Sequence, residues 1–128
     1  MAPTYSVVDP TDIPEESFPV SGIQHRKLSE AVGSDHVRIN TLRLEPGEAT
    51  APHVHERQEE IYVALTGGTI VADEKTIDVP RGGIVRFDPE VVRSVRNDTT
   101  DETHEWLMLG VPPYGTVEDF GEFALPAE

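Results

Sequence analysis

The chain contains no cysteine. Disulfide frameworks, thiolate metal sites and cysteine nucleophiles are therefore excluded. Lysine is nearly as scarce. Of the 10 basic residues only Lys27 and Lys75 are lysines, against 24 acidic residues, for a formal net charge of −14. Such a surface is a poor partner for nucleic acid. No run approaches the roughly 18–20 apolar residues that a membrane span needs. The opening stretch MAPTYSVVDPTDIPEE has no basic start and no apolar run, so no signal peptide is expected and the chain reads as soluble and cytoplasmic. There is no amphipathic pattern of useful helical length, no phosphate-cradling glycine loop and no G-x-S-x-G elbow. High acid with little lysine matches surfaces from salt-loving organisms, where concentrated salt screens self-repulsion. A halophilic protein is the expected source; the alternative is a mesophilic protein that happens to be acidic.

What is present is a rhythm of short strands. The 128 residues are enough for one domain with one core. Residues 1–24 are rich in proline and acids, an irregular arm with Tyr5 to Val8 as a candidate edge strand. Arg26 to Val32 reads either as a helical turn ending at Gly33 or as an edge strand. From Val37 the stretch VRINTLRL alternates apolar and polar residues, as a half-buried strand does. Further strands are expected at residues 60–65, 69–72, 76–79, 84–87, 91–96 and 105–109. Thr66-Gly67-Gly68 and Arg81-Gly82-Gly83 read as hairpin turns between them. Strands recurring every 8–12 residues argue for an all-β sandwich or barrel.

Chemistry concentrates in the stretch GEATAPHVHERQEEIYVALTG, residues 47–67. On a strand His53 and His55 point to one side, and a bend lets two such imidazoles close on one metal ion. A carboxylate from the next strand completes three ligands. Glu60 is preferred over Glu59, which faces the opposite way. Two neutral nitrogens and an anionic oxygen suit Fe, Mn, Ni, Zn or Co, with open positions left for chemistry. Tyr62 shares the face of Glu60, as a pocket wall or a proton donor. His104 is the remaining candidate for a fourth ligand, with a structural role at a strand start preferred. His25 and His36 are expected on the surface, and Asn97 is expected to cap a turn.

The spacing Gly47, five residues, His53-Val54-His55, four residues, Glu60, six residues, Gly67 resembles the first motif of the cupin superfamily. The second motif of that family has a glycine, a proline, and a histidine four residues before an asparagine. Here Gly83, Pro89 and Asn97 stand at those positions, and Arg93 stands where the histidine belongs. The resemblance covers roughly residues 37–111. It implies a single-domain jelly-roll β-barrel over 37–111, with an N-terminal arm (1–36) packing on the barrel or across a dimer. A C-terminal tail (112–128) would pack Phe120 and Phe123 on the barrel, and the assembly implied is a homodimer. It also implies a divalent metal on His53, His55 and Glu60, without the usual fourth ligand. Arginine cannot ligate a metal. Arg93 either pairs with Glu60 in place of the metal or stands back, with Tyr62, to bind an anionic small molecule. The expected function is a metal-binding barrel for a small organic, anionic molecule, with oxygenase- or isomerase-type chemistry. The alternative is a non-catalytic ligand-binding or sensing barrel.

Overall fold

The computed structural model describes residues 4–19, 21–55 and 57–111. Nine strands, one short α-helix and a 3-10 turn at Pro10–Asp12 occur among them: β1 (Glu16–Ser17), β2 (Gln24–Lys27), α1 (Ser29–Val32), β3 (Arg38–Leu44), β4 (Glu59–Ala64), β5 (Gly68–Ala72), β6 (Lys75–Val79), β7 (Gly83–Phe87), β8 (Arg93–Arg96) and β9 (His104–Val111). They form two antiparallel sheets. One has six strands in the order β1-β2-β3-β9-β4-β7, and the other has three in the order β6-β5-β8. This is the all-β, double-sheet barrel expected from the strand spacing, of the jelly-roll type that the resemblance implied. No helix among the described residues is long and apolar enough to cross a membrane.

Alternation decides which face is buried. In β3 the residues Arg38, Asn40, Leu42 and Leu44 are buried while Ile39, Thr41 and Arg43 are only partly so. In β4 the buried set is Glu60, Tyr62 and Ala64, and in β9 it is His104, Trp106, Met108 and Gly110. The core between the sheets gathers Leu42, Leu44, Tyr62, Ala64, Ile70, Phe87, Val95 and Trp106. Each large apolar side chain buried there contributes about 1.5–3 kcal/mol. Trp106 lies flush against β5: a Cβ at Gly68 would come within 2.6 Å of its ring.

Two turns differ from the sequence reading. The Gly67 turn joins β4 of the large sheet to β5 of the small one, and the Gly82 turn joins β6 back to β7. Neither closes a hairpin, because the strands it joins do not pair. Glycine at positive φ (81° and 78°) marks a reversal but says nothing about which sheet the chain enters next. The hairpin is β5–β6, where Asp73 and Glu74 both take positive φ between the paired Ala72 and Lys75.

The arm also differs. Tyr5 to Val8 is not a strand, and Tyr5 and Val7 are exposed. The arm's strands are β1 and β2, with β2 antiparallel to β3. Both readings of residues 26–32 hold in part: β2 ends at Lys27, and α1 then ends at Gly33 in the left-handed conformation. His25 is not a surface residue. It is buried, with its ring stacked 4.0 Å from that of Phe18. His36 is exposed, and the expected packing of Phe120 and Phe123 lies outside the described residues.

Candidate metal centre

The site is assembled from both sheets. The segment before β4 runs beside β8, with bridges at Ala49–Arg96 and His53–Arg93. His53 N donates to the Arg93 carbonyl (3.0 Å) and Arg93 N to the His53 carbonyl (3.1 Å). His55 N donates to the Pro89 carbonyl at 2.8 Å. These backbone bonds fix both histidines with their rings inward. Glu60 and Tyr62 arrive from β4 in the opposing sheet.

The side chains converge on one oxygen. His55 Nε2 lies 3.1 Å and His53 Nε2 3.8 Å from Glu60 Oε1. The imidazole centroids are 5.4 Å apart. His53 Nδ1 sits 3.0 Å from the Ala51 carbonyl. A proton on Nδ1 donated to that carbonyl leaves the Nε2 lone pair facing Glu60. The Tyr62 hydroxyl donates to Glu60 Oε1 at 3.0 Å.

Two arginines hold the same carboxylate. Arg93 reaches Oε1 through Nη2 (2.8 Å) and Nε (3.2 Å). Its Nη1 donates to the carbonyls of Pro89 (2.8 Å) and Val91 (2.6 Å), and its guanidinium lies 5.1 Å from the Phe87 ring centre. Arg38 takes the other oxygen, donating from Nη2 to Glu60 Oε2. It is itself held by Asn40 Oδ1 (2.6 Å from Nη1) and by Gln58 Oε1.

Burial by itself raises the Glu60 carboxyl, but His53, His55 and the Arg38 charge outweigh it and hold the group well below the usual carboxylate range. Burial lowers His55, favouring its neutral, ligating form. Burial, reinforced by the Glu60 charge, raises the Tyr62 phenol, which keeps its proton. The charged residues buried among those described are Arg38, Arg93 and Glu60, an excess of one positive charge when the imidazoles are neutral.

His53, His55 and Glu60 fit a divalent ion. Their donor atoms lie within 4.8 Å of one another and all three residues are buried. Two donors each about 2.1 Å from a shared ion stand roughly 3.0–3.4 Å apart, so the 3.1 Å pair is near that spacing and the 3.8 Å pair needs a small shift. Glu59 faces outward and pairs with Arg86, as its place on β4 requires. His104 does not join the group. It begins β9 opposite Leu44, six residues along the strand from Gly110, which lies beside Glu60. Asn97 braces a turn, donating to the Leu44 and Glu102 carbonyls and accepting from Thr99. Sequence reasoning missed Arg38, Asn40 and Gln58. The signal was available: Arg38 and Asn40 share the period-two face of Leu42 and Leu44, and Gln58 that of Glu60.

A family model described as "Cupin domain" matches residues 40–110. Among solved structures, a predicted oxalate decarboxylase from Thermotoga maritima is 23% identical, with a TM-score of 0.71 over 83% of this chain and 98% of that one. A putative sugar phosphate isomerase from Acidithiobacillus ferrooxidans is 27% identical, with a TM-score of 0.67 over 77% of this chain and 67% of that one. A polyketide cyclase from Streptomyces resistomycificus is 24% identical, with a TM-score of 0.69 over 82% of this chain and 78% of that one. No curated protein sequence matches significantly.

Proposed function

The chain belongs to the cupin family, and from that footing we propose that it is a metal-binding barrel acting on a small organic anion. The observation that carries this reading is the convergence of His53, His55 and Glu60, three buried donors of the right chemistry facing one point. A divalent ion held there (Fe, Mn, Ni or Zn) would supply a Lewis acid able to polarise a carbonyl or activate oxygen or water.

The remaining residues support one ligand class. The buried excess of positive charge on Arg38 and Arg93 favours a carboxylate or phosphate over a neutral molecule. Arg93 and Arg38 keep Glu60 from swinging by gripping one oxygen each. Tyr62 donates to the Glu60 oxygen, and burial raises its phenol, so it keeps its proton and braces the carboxylate. Isomerase-type chemistry on a phosphorylated or carboxylated small molecule is the class to test first. It agrees with the likeness to the 27% identical putative sugar phosphate isomerase, and the fold by itself does not choose among activities.

A second reading is favoured by a specific observation. Glu60 Oε1 already accepts from Arg93 and Tyr62, and Oε2 accepts from Arg38. In that reading the ion pair stands in place of a metal and the barrel binds its anion without catalysis. The test is elemental analysis of protein purified without chelator, beside His53→Ala. Near-stoichiometric metal in the wild type and none in the variant supports the metal centre, and turnover is then assayed on sugar phosphates. No metal in either, with no uptake near about pH 8 where the imidazoles are neutral, overturns it in favour of the ion pair.

A further inference from the structure

Arg38, Gly110 and Glu60 lie in one row across three neighbouring strands: Arg38 on β3 is opposite Gly110 on β9, and Gly110 is opposite Glu60 on β4. Strands lie about 4.8 Å apart, so the two outer residues are separated by roughly 10 Å of sheet. The Arg38 side chain crosses that gap to reach Glu60 Oε2. It crosses directly over the glycine. A Cβ at position 110 would come within 2.8 Å of Arg38 Nη2 and 2.6 Å of the Gln58 side-chain amide. The absent side chain in a central strand is thus the passage through which the guanidinium reaches the carboxylate. Gln58 and Asn40 fix the fork in that position, and Arg38 is only 2% exposed.

We propose that Arg38, reaching Glu60 over Gly110, holds down the metal affinity of the His53–His55–Glu60 centre. The proposal rests on the reading that these three residues take a metal. Two consequences of the contact carry it. With Oε2 engaged, Glu60 presents a single oxygen toward the histidines. A fixed positive charge bonded to the ligand carboxylate also opposes a divalent cation, and in a buried site that repulsion is weakly screened. In this arrangement Arg38 reaches the centre through Glu60 and acts as a positioning residue.

The test is calorimetric titration of Zn(II) alone into the wild type, Arg38→Met and Gly110→Ala, each prepared metal-free. Arg38→Met removes the charge while Arg93 still compensates Glu60. Gly110→Ala keeps the charge and displaces it. Both are expected to bind Zn(II) at least about tenfold tighter than the wild type, with unchanged circular dichroism in the metal-free state. Should Arg38→Met not fold, Arg38→Gln retains hydrogen bonding to Asn40 and Gln58 and carries the same comparison. Binding in the variants with none in the wild type upholds the role of Arg38 and refutes metal binding by the native site. Equal binding in wild type and Arg38→Met overturns the role of Arg38 and leaves the metal centre standing. No binding in any of them overturns both. Wild-type affinity in Gly110→Ala overturns the passage over the glycine.

Discussion

Arg93 Nη2 lies 2.8 Å from Glu60 Oε1, and neither side chain is appreciably exposed to solvent. The arginine therefore occupies the second-motif position with its charge turned toward the carboxylate, from a strand in the opposite sheet. Its Nη1 is at the same time tied to the backbone of its own loop at Pro89 and Val91. The residue is both a strut of that loop and a partner of the site.

Arg93→His separates those roles. The variant loses the buried pair and the loop contacts, and metal-free protein should be destabilised by about 3 kcal/mol, as when one partner of a buried ion pair is removed. The new imidazole adds a nitrogen where the guanidinium stood. Excess Zn(II) should then raise the melting temperature of the variant more than that of the wild type. Thermal melts with and without the ion check this, and equal shifts would refute it.

Acidification should destabilise the protein over two pH ranges. Burial lowers both His25 and His55 from 6.5, so the unfolded chain takes up their protons first. Their contribution is complete above 6.5 and is lost as the pH falls through that value toward the lower folded ones. Glu60 is held well below 4.5 in the fold, so its contribution is lost in turn as the pH drops through 4.5. His25 lies outside the metal centre. Replacing it with phenylalanine, which can still stack on Phe18, should flatten the stability slope between about pH 7 and about pH 5 by up to about 1.4 kcal/mol per pH unit. Urea unfolding across that range measures the slope.

Gly68→Ala should cost about 1–3 kcal/mol by overpacking. The added methyl would meet the Trp106 ring at 2.6 Å, inside the buried core. Trp106 is the only tryptophan in the chain, so its emission during urea unfolding reports the loss directly. An unchanged midpoint would mean that the ring moves aside at no cost.

Salt should stabilise the protein. With 24 acidic residues against 10 basic ones, self-repulsion opposes the compact state and is screened by added ions. The melting temperature is expected to rise between about 0.1 M and about 2 M KCl. A flat response would set aside the halophilic reading.

The sequence by itself determined the strands of the barrel, their buried faces and the His53, His55 and Glu60 group that could hold a metal. Alternation with period two is local, so it placed β3 through β9 to within a residue or two, aimed Glu60 inward and Glu59 outward, and joined His53 to His55. It also exposed the substitution at Arg93. Tertiary structure decided what each strand lies beside. The turns at Gly67 and Gly82 change sheets, and nothing in a turn's own residues distinguishes that from a hairpin. His25 is buried with the Phe18 ring stacked on it, a contact between β2 and the residue that follows β1. Arg38 belongs to the site because β9, far along the chain, inserts a glycine between β3 and β4. The reach of a side chain over its neighbour depends on which strands meet, and that is settled only when the whole sheet has formed.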